Sequence, residues 1–147
     1  MTLLSTLNDD MKTAMRAKDK ERLAVIRMLK ASLQNEEIKV GHELNADEEL
    51  TILSREMKQR RDSLTEFDKA GRDDLSEKVK VEIAIVEEYL PAQLTDEEIR
   101  EIVKQAIAKT GATSAKEFGK VMSAVMPQVK GKADGNQVNA IVKELLQ

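Results

Sequence analysis

The sequence predicts an all-α protein, and three observations carry that prediction. Apolar residues recur at three- and four-residue spacing along most of the chain, as one face of a helix requires. The composition is 41% hydrophobic but only 2% aromatic. Such a core is built from Leu, Ile, Val, Met and Ala, which packed helices use, whereas strands want more Tyr, Phe and Thr. Six glycines and two prolines are too few for the many turns of a β-sandwich. A chain of 147 residues holds one ordinary domain or two small ones. The patterning divides it into an N-terminal bundle of about four helices over residues 1–90 and a compact three-helix domain over residues 91–147.

Leu3, Leu4, Leu7, Met11, Ala14 and Met15 form the first stripe, with Asp9 and Asp10 in its gaps. Asp19 then stands where an N-cap belongs. The second helix turns Leu23, Ile26, Leu29, Leu33 and Ile38 inward and Lys20, Arg27, Lys30, Glu36 and Lys39 outward. Gly41 and Asn45 mark a loop. Asp47, Glu48 and Glu49 place negative charge at the start of the third helix, where the helix dipole favours it. Leu50, Leu53, Met57, Leu64 and Phe67 are its expected inner face; Arg55, Lys58, Arg60, Arg61, Asp62 and Glu66 are its expected outer face. Gly71 suits the left-handed residue after a helix end. The fourth helix follows with Leu75, Val79, Ile83, Val86 and Leu90 inward.

Pro91 is the main boundary, because a residue before proline is pushed out of helical geometry. Thr95 with Glu98 fits a capping box for the fifth helix, whose inner face is Ile99, Ile102, Val103, Ala106 and Ile107 and which stops near Thr110 and Gly111. Ser114 with Glu117 offers the same box to the sixth, whose stripe is Phe118, Val121, Met122 and Val125. Pro127 is expected to forbid its continuation, since it lacks an N–H and its ring clashes with the preceding turn. An elbow from Lys130 to Gly135 follows, and Asp134 is placed to cap the seventh helix, which buries Val138, Ile141, Val142 and Leu145.

The formal net charge of −3 argues against a uniformly basic nucleic-acid binder, but the charge is uneven. Residues 1–90 hold 16 Lys and Arg against 20 Asp and Glu, while from Lys104 onward the count is 7 against 3. A local basic face binds anions on an acidic protein because salt confines the field to about 10 Å. With no cysteine there is no disulfide, thiolate nucleophile or zinc–sulfur site, which suits a reducing compartment. The first residues lack a basic n-region, and no apolar run approaches the roughly 20 residues of a membrane span. A cytoplasmic protein without membrane contact is the expectation.

Self-contained chemistry is not legible. His42 is the single histidine, in a Gly-His-Glu loop without partners for a metal site. No serine stands in a Gly-x-Ser-x-Gly elbow. Adjacent carboxylates such as Glu36-Glu37 and Glu87-Glu88 diverge by about 100° on a helix and do not converge on one atom. No Walker loop or dinucleotide fingerprint occurs. The expectation is therefore no catalytic residue, metal or cofactor. Two basic features are left. One is the elbow, where Lys120, Lys130 and Lys132, the backbone around Gly131, and Asn136 at the entrance of the last helix offer charge and N–H groups to a phosphate. The other is a possible second patch of Lys58, Arg60, Arg61 and Arg72, for which ion pairing with Glu56, Asp62 and Glu66 is the ordinary alternative.

The segments Lys58-Gln-Arg-Arg-Asp-Ser63, Phe67-Asp-Lys-Ala-Gly-Arg-Asp-Asp-Leu75, Glu88-Tyr-Leu-Pro91, Gly119-Lys-Val-Met122 and Lys130-Gly-Lys-Ala-Asp134 closely resemble the GatB/YqeY family, in order and over nearly the whole chain. The family's other branch is the tail of the B subunit of the aspartyl/glutamyl-tRNA amidotransferase, which residues 91–147 resemble most clearly. The resemblance implies a tRNA-binding or tRNA-associated role in translation, since that tail is implicated in holding the outer body of the tRNA. Its motifs include Lys120, Lys130, Gly131 and Lys132, which with Asn136 are the expected nucleic-acid contact positions. An alternative is a protein–protein adaptor docking on an amidotransferase or an aminoacyl-tRNA synthetase. A second alternative is carbon–nitrogen ligase activity with glutamine as amido donor, inherited as a family label. Nothing in the chain resembles the amidotransferase's kinase-like domain or a glutaminase, and fold kinship does not carry an active site.

Overall fold

The structure is a computed structural model and describes residues 2–147. Among the described residues it contains seven α-helices, one 3₁₀ turn and no strand. The helices are α1 (Leu3–Arg16), α2 (Lys20–Val40), α3 (Ala46–Lys69), α4 (Asp73–Glu87), α5 (Asp96–Thr110), α6 (Phe118–Val129) and α7 (Gly135–Leu146). The chain divides into two compact units, Met1–Leu90 and Pro91–Gln147, each with its own core.

In the N-terminal unit, α1 packs on α2, α3 on α4, and α2 on both α3 and α4. Its core gathers Leu7, Val25, Ile26, Leu29, Leu33, Ile52, Leu53, Met57 and Val86, all nearly or fully excluded from water. Local signals set the helix ends. The Asp19 carboxylate accepts from the Arg22 N–H. Asn45 and Glu48 form a reciprocal capping box at the head of α3. Gly71 adopts φ 69°, a left-handed conformation that costs other L-residues about 1–2 kcal/mol, and this lets the chain reverse tightly between α3 and α4. Long-range polar ties close the unit. The Leu3 N–H donates to Glu49 at 2.9 Å, Ser76 Oγ to Asp68 at 2.6 Å, and the Tyr89 hydroxyl to Asp10. Burial, and then the hydrogen bond to Asp10, push the Tyr89 phenol well above its ordinary range.

Three expectations fail in this unit, the first at Met15, which is counted in the stripe of α1 but is 52% exposed. Ile38 does not face the core; it is 81% exposed. It lies five residues beyond Leu33 and so off the three-and-four stripe that Ile26, Leu29 and Leu33 define. Arg60 is not on the outer face of α3. It is 6% exposed and bonded to buried Glu56, with Nη1 2.8 Å from the carboxylate and 3.1 Å from the Glu56 carbonyl. The stripe Leu53, Glu56, Met57, Arg60 runs at helical spacing, so the inner face of α3 carries an ion pair within its apolar row. Ser32 Oγ donates to the other Glu56 oxygen at 2.6 Å, and Arg60 Nη2 reaches the Met28 sulfur at 3.8 Å.

In the C-terminal unit α5 packs on α6 and α7, and α6 on α7. Ile99, Val103, Val121, Val125, Val129, Val138 and Val142 are fully buried at its centre. Thr95 and Glu98 form their capping box, Asp134 caps α7 through the Asn136 N–H, and Gly111 ends α5 at φ 72°. Two expectations are corrected. Ser114 and Glu117 make no capping box: the Glu117 carboxylate accepts instead from the Thr113 N–H at 2.8 Å, and a 3₁₀ turn over Ala115–Glu117 precedes α6. Nor does Pro127 stop the helix; α6 runs through it to Val129. Proline forfeits one hydrogen bond in the last turn, while Val129 extends the stripe Val121, Val125, Val129 and is wholly buried there.

Candidate functional site

The elbow between α6 and α7 is a tightly hydrogen-bonded turn. Gly131 takes φ 73°, and the N–H groups of Lys132 and Ala133 both donate to the Val129 carbonyl, at 2.8 and 3.2 Å. The segment entering α5 clamps the turn from the other side. Gln93 Nε2 donates to the Gly131 carbonyl at 2.9 Å, and the Leu94 N–H to the Lys132 carbonyl at 2.8 Å. The Asn136 N–H is taken by the Asp134 carboxylate at 3.2 Å. Of the backbone amides around Gly131 and at the α7 entrance, those of Lys132, Ala133 and Asn136 are committed within the turn and cap. A carboxylate also already occupies the positive end of α7. What the elbow offers outward is side chains, since Lys130, Lys132 and Asn136 are all exposed.

Lys120 does not belong to that cluster. It lies in the first turn of α6, and the helix between it and the elbow rises roughly 14 Å at 1.5 Å per residue.

In the N-terminal unit Lys58 pairs with Asp62, Arg60 with Glu56, Lys69 with Glu66, Arg72 with Asp74, Lys80 with Glu77 and Arg22 with Glu88. The proposed patch of Lys58, Arg60, Arg61 and Arg72 is thus not assembled as a free cationic face. Arg60 is inside, and Lys58 and Arg72 are bound to neighbouring acids, Arg72 through both Nε and Nη2 at 3.2 Å. The hydrogen-bonded Asp74 raises the Arg72 pKa, and Arg72 in turn holds the Asp74 carboxyl below its ordinary value. In the C-terminal unit Arg100 pairs with Glu144 at 2.8 Å. Lys104, Lys109, Lys116, Lys120 and Lys132 are exposed and make no ion pair among the described residues, and Lys143 stands 5.9 Å over the Phe118 ring.

Among the described residues no group of three or more His, Asp or Glu is placed to hold a metal ion. His42 is exposed, with Nδ1 against the Glu43 carbonyl at 2.8 Å and Nε2 3.7 Å from Glu48. Among those residues no helix is long and apolar enough to cross a membrane. Sequence reasoning passed over Lys109. Its signal was the run from Gln105 to Thr113, which holds no acid within one turn on either side to neutralise it.

A family model described as "Yqey-like protein" matches residues 4–146. Curated relatives carry the name "Altered inheritance of mitochondria protein 41, mitochondrial". One, from Pyrenophora tritici-repentis, is 32% identical over 151 residues, covering 98% of this chain and 81% of the relative. Another, from Clavispora lusitaniae, is 35% identical over 116 residues, covering 77% of this chain and 67% of the relative. A third, from Eremothecium gossypii, is 37% identical over 94 residues, 60% of this chain and 49% of the relative's length. The cytoplasmic expectation is overturned by these matches, because the relatives are named as mitochondrial proteins.

Proposed function

The chain belongs to the YqeY-like protein family, and from that premise we propose that it is a non-catalytic tRNA-binding protein whose C-terminal unit grips the phosphate backbone. The observation that carries this reading is the basic balance of the C-terminal unit, which from Lys104 onward holds 7 Lys and Arg against 3 Asp and Glu. Lys104, Lys109, Lys116, Lys120 and Lys132 of that unit stand exposed without an ion pair among the described residues. An exposed ammonium group keeps its charge for a partner, and displacement of counterions from phosphate supplies affinity without sequence reading. The resemblance of residues 91–147 to the amidotransferase tail gives the partner its class. With 2% aromatic residues, the chain has little means to stack bases, which favours folded RNA over single strands.

The test is a titration of the full chain with tRNA. Lys130→Ala combined with Lys132→Ala is expected to weaken binding and flatten the dependence of log K on log salt by about two. Equal binding by variant and parent would remove the elbow from the account. A second reading, docking on a protein of translation, draws support from Met15, Met28 and Met126, which are 52%, 49% and 38% exposed and suit adaptable contacts. Partners retained after nuclease and high salt would favour it.

A further inference from the structure

Between α5 and α6 lies a groove of about 820 Å³ formed within the C-terminal unit, apart from the elbow turn. Its floor is small: Ala106 of α5, with Ala124 and Pro127 of α6. Its rim is polar, with Gln105 and Lys109 one turn apart on α5 and Lys120, Ser123 and Gln128 spaced along one face of α6. Lys109 and Lys120 are exposed and make no ion pair among the described residues, and no carboxylate lines the groove. The nearby acid Glu101 is met by Gln105 Nε2 at 3.4 Å, and Gln128 Nε2 donates to the Ala124 carbonyl at 3.2 Å.

We propose that this groove seats the sugar-phosphate backbone of the folded RNA, with Lys109 and Lys120 on phosphates. The inference rests on the tRNA reading and adds to it a contact region separate from the elbow. Three features favour a nucleic-acid backbone as the occupant. The rim side chains are Lys, Gln and Ser, all among the types that contact phosphate and sugar oxygens. The alanine floor lets a backbone approach closely, with no large side chain in its way. The lining contains no aromatic ring to stack a base, so the contact is sequence-independent. The absence of lining carboxylates matches a polyanion. Lys120, set apart from the elbow by the length of α6, thereby gains Lys109 as its partner across the groove, and the RNA backbone meets cations at both ends of that helix.

The experiment compares four full-length proteins for binding to a folded tRNA transcript: the parent, Lys109→Gln with Lys120→Gln, Ser123→Glu, and the elbow variant Lys130→Ala with Lys132→Ala. Matching circular dichroism melts establish that each is folded. Both groove variants are expected to bind about tenfold more weakly, and the double lysine variant to flatten the salt slope by about two. Groove variants that bind like the parent, while the elbow variant is weakened, would overturn the groove and leave the tRNA reading standing. A parent that binds no tRNA would sink both. A parent that instead binds an acidic helical peptide, through Lys109 and Lys120, would also overturn the RNA seat.

Discussion

Glu56→Ala is expected to destabilise the N-terminal unit by about 3–5 kcal/mol, because it strands a guanidinium inside the fold. The Glu56 and Arg60 side chains are 11% and 7% exposed, and Arg60 Nε already has no partner. Removing the carboxylate takes away the Nη1 contact at 2.8 Å and the acceptor for Ser32 Oγ in one step. The Coulombic gain of such a pair is largely offset by its desolvation, so its loss and its replacement have opposite consequences. Exchanging both partners for apolar residues, Glu56→Met with Arg60→Leu, is expected to be neutral or stabilising. Urea denaturation followed by circular dichroism separates the cases. A single variant as stable as the parent would show that the buried guanidinium finds solvent or another partner.

Val125→Asp is the second large perturbation, expected to cost about 4 kcal/mol or more. Val125 is fully buried at the centre of the α5–α6–α7 core, and a carboxylate there has either to be desolvated or to stay protonated. Each unit has its own core, so the damage should fall on the C-terminal unit. The expected result is partial loss of helical signal at neutral pH, with the N-terminal unit's melt retained and tRNA binding abolished. A single cooperative loss of the whole signal would show that the cores are energetically coupled.

Most helix ends were readable from local signals, although the equally local Ser114–Glu117 box does not form. Asp19, the Thr95–Glu98 box, Gly111 and Asp134 each act within one turn of their own position. Reading failed where burial outweighed chemistry. Arg60 falls on the row of Leu53 and Met57, but its charge argued for the surface, and only the Glu56 and Ser32 partners show why it is inside. Pro127 argued for a break, but buried Val129 holds the last turn of α6 beyond it. The elbow shows the same limit at the candidate site. Its lysines were visible as cations, but Gln93 meeting Gly131 across 38 residues is a long-range contact. That clamp and the Val129 carbonyl commit much of the turn's backbone, while the Lys132 side chain stays exposed. Lys109 pairs with Lys120 only through the packing of α5 on α6, a relation no spacing rule contains.

The account turns on whether the lysines of the C-terminal unit neutralise tRNA phosphates. The direct measurement is the affinity of the unaltered chain for a folded tRNA across a salt series. Elbow and groove lysines acting together predict log K falling linearly with log salt, with a slope of about −3 or steeper. No binding at low salt, or an affinity that does not change with salt, would contradict it.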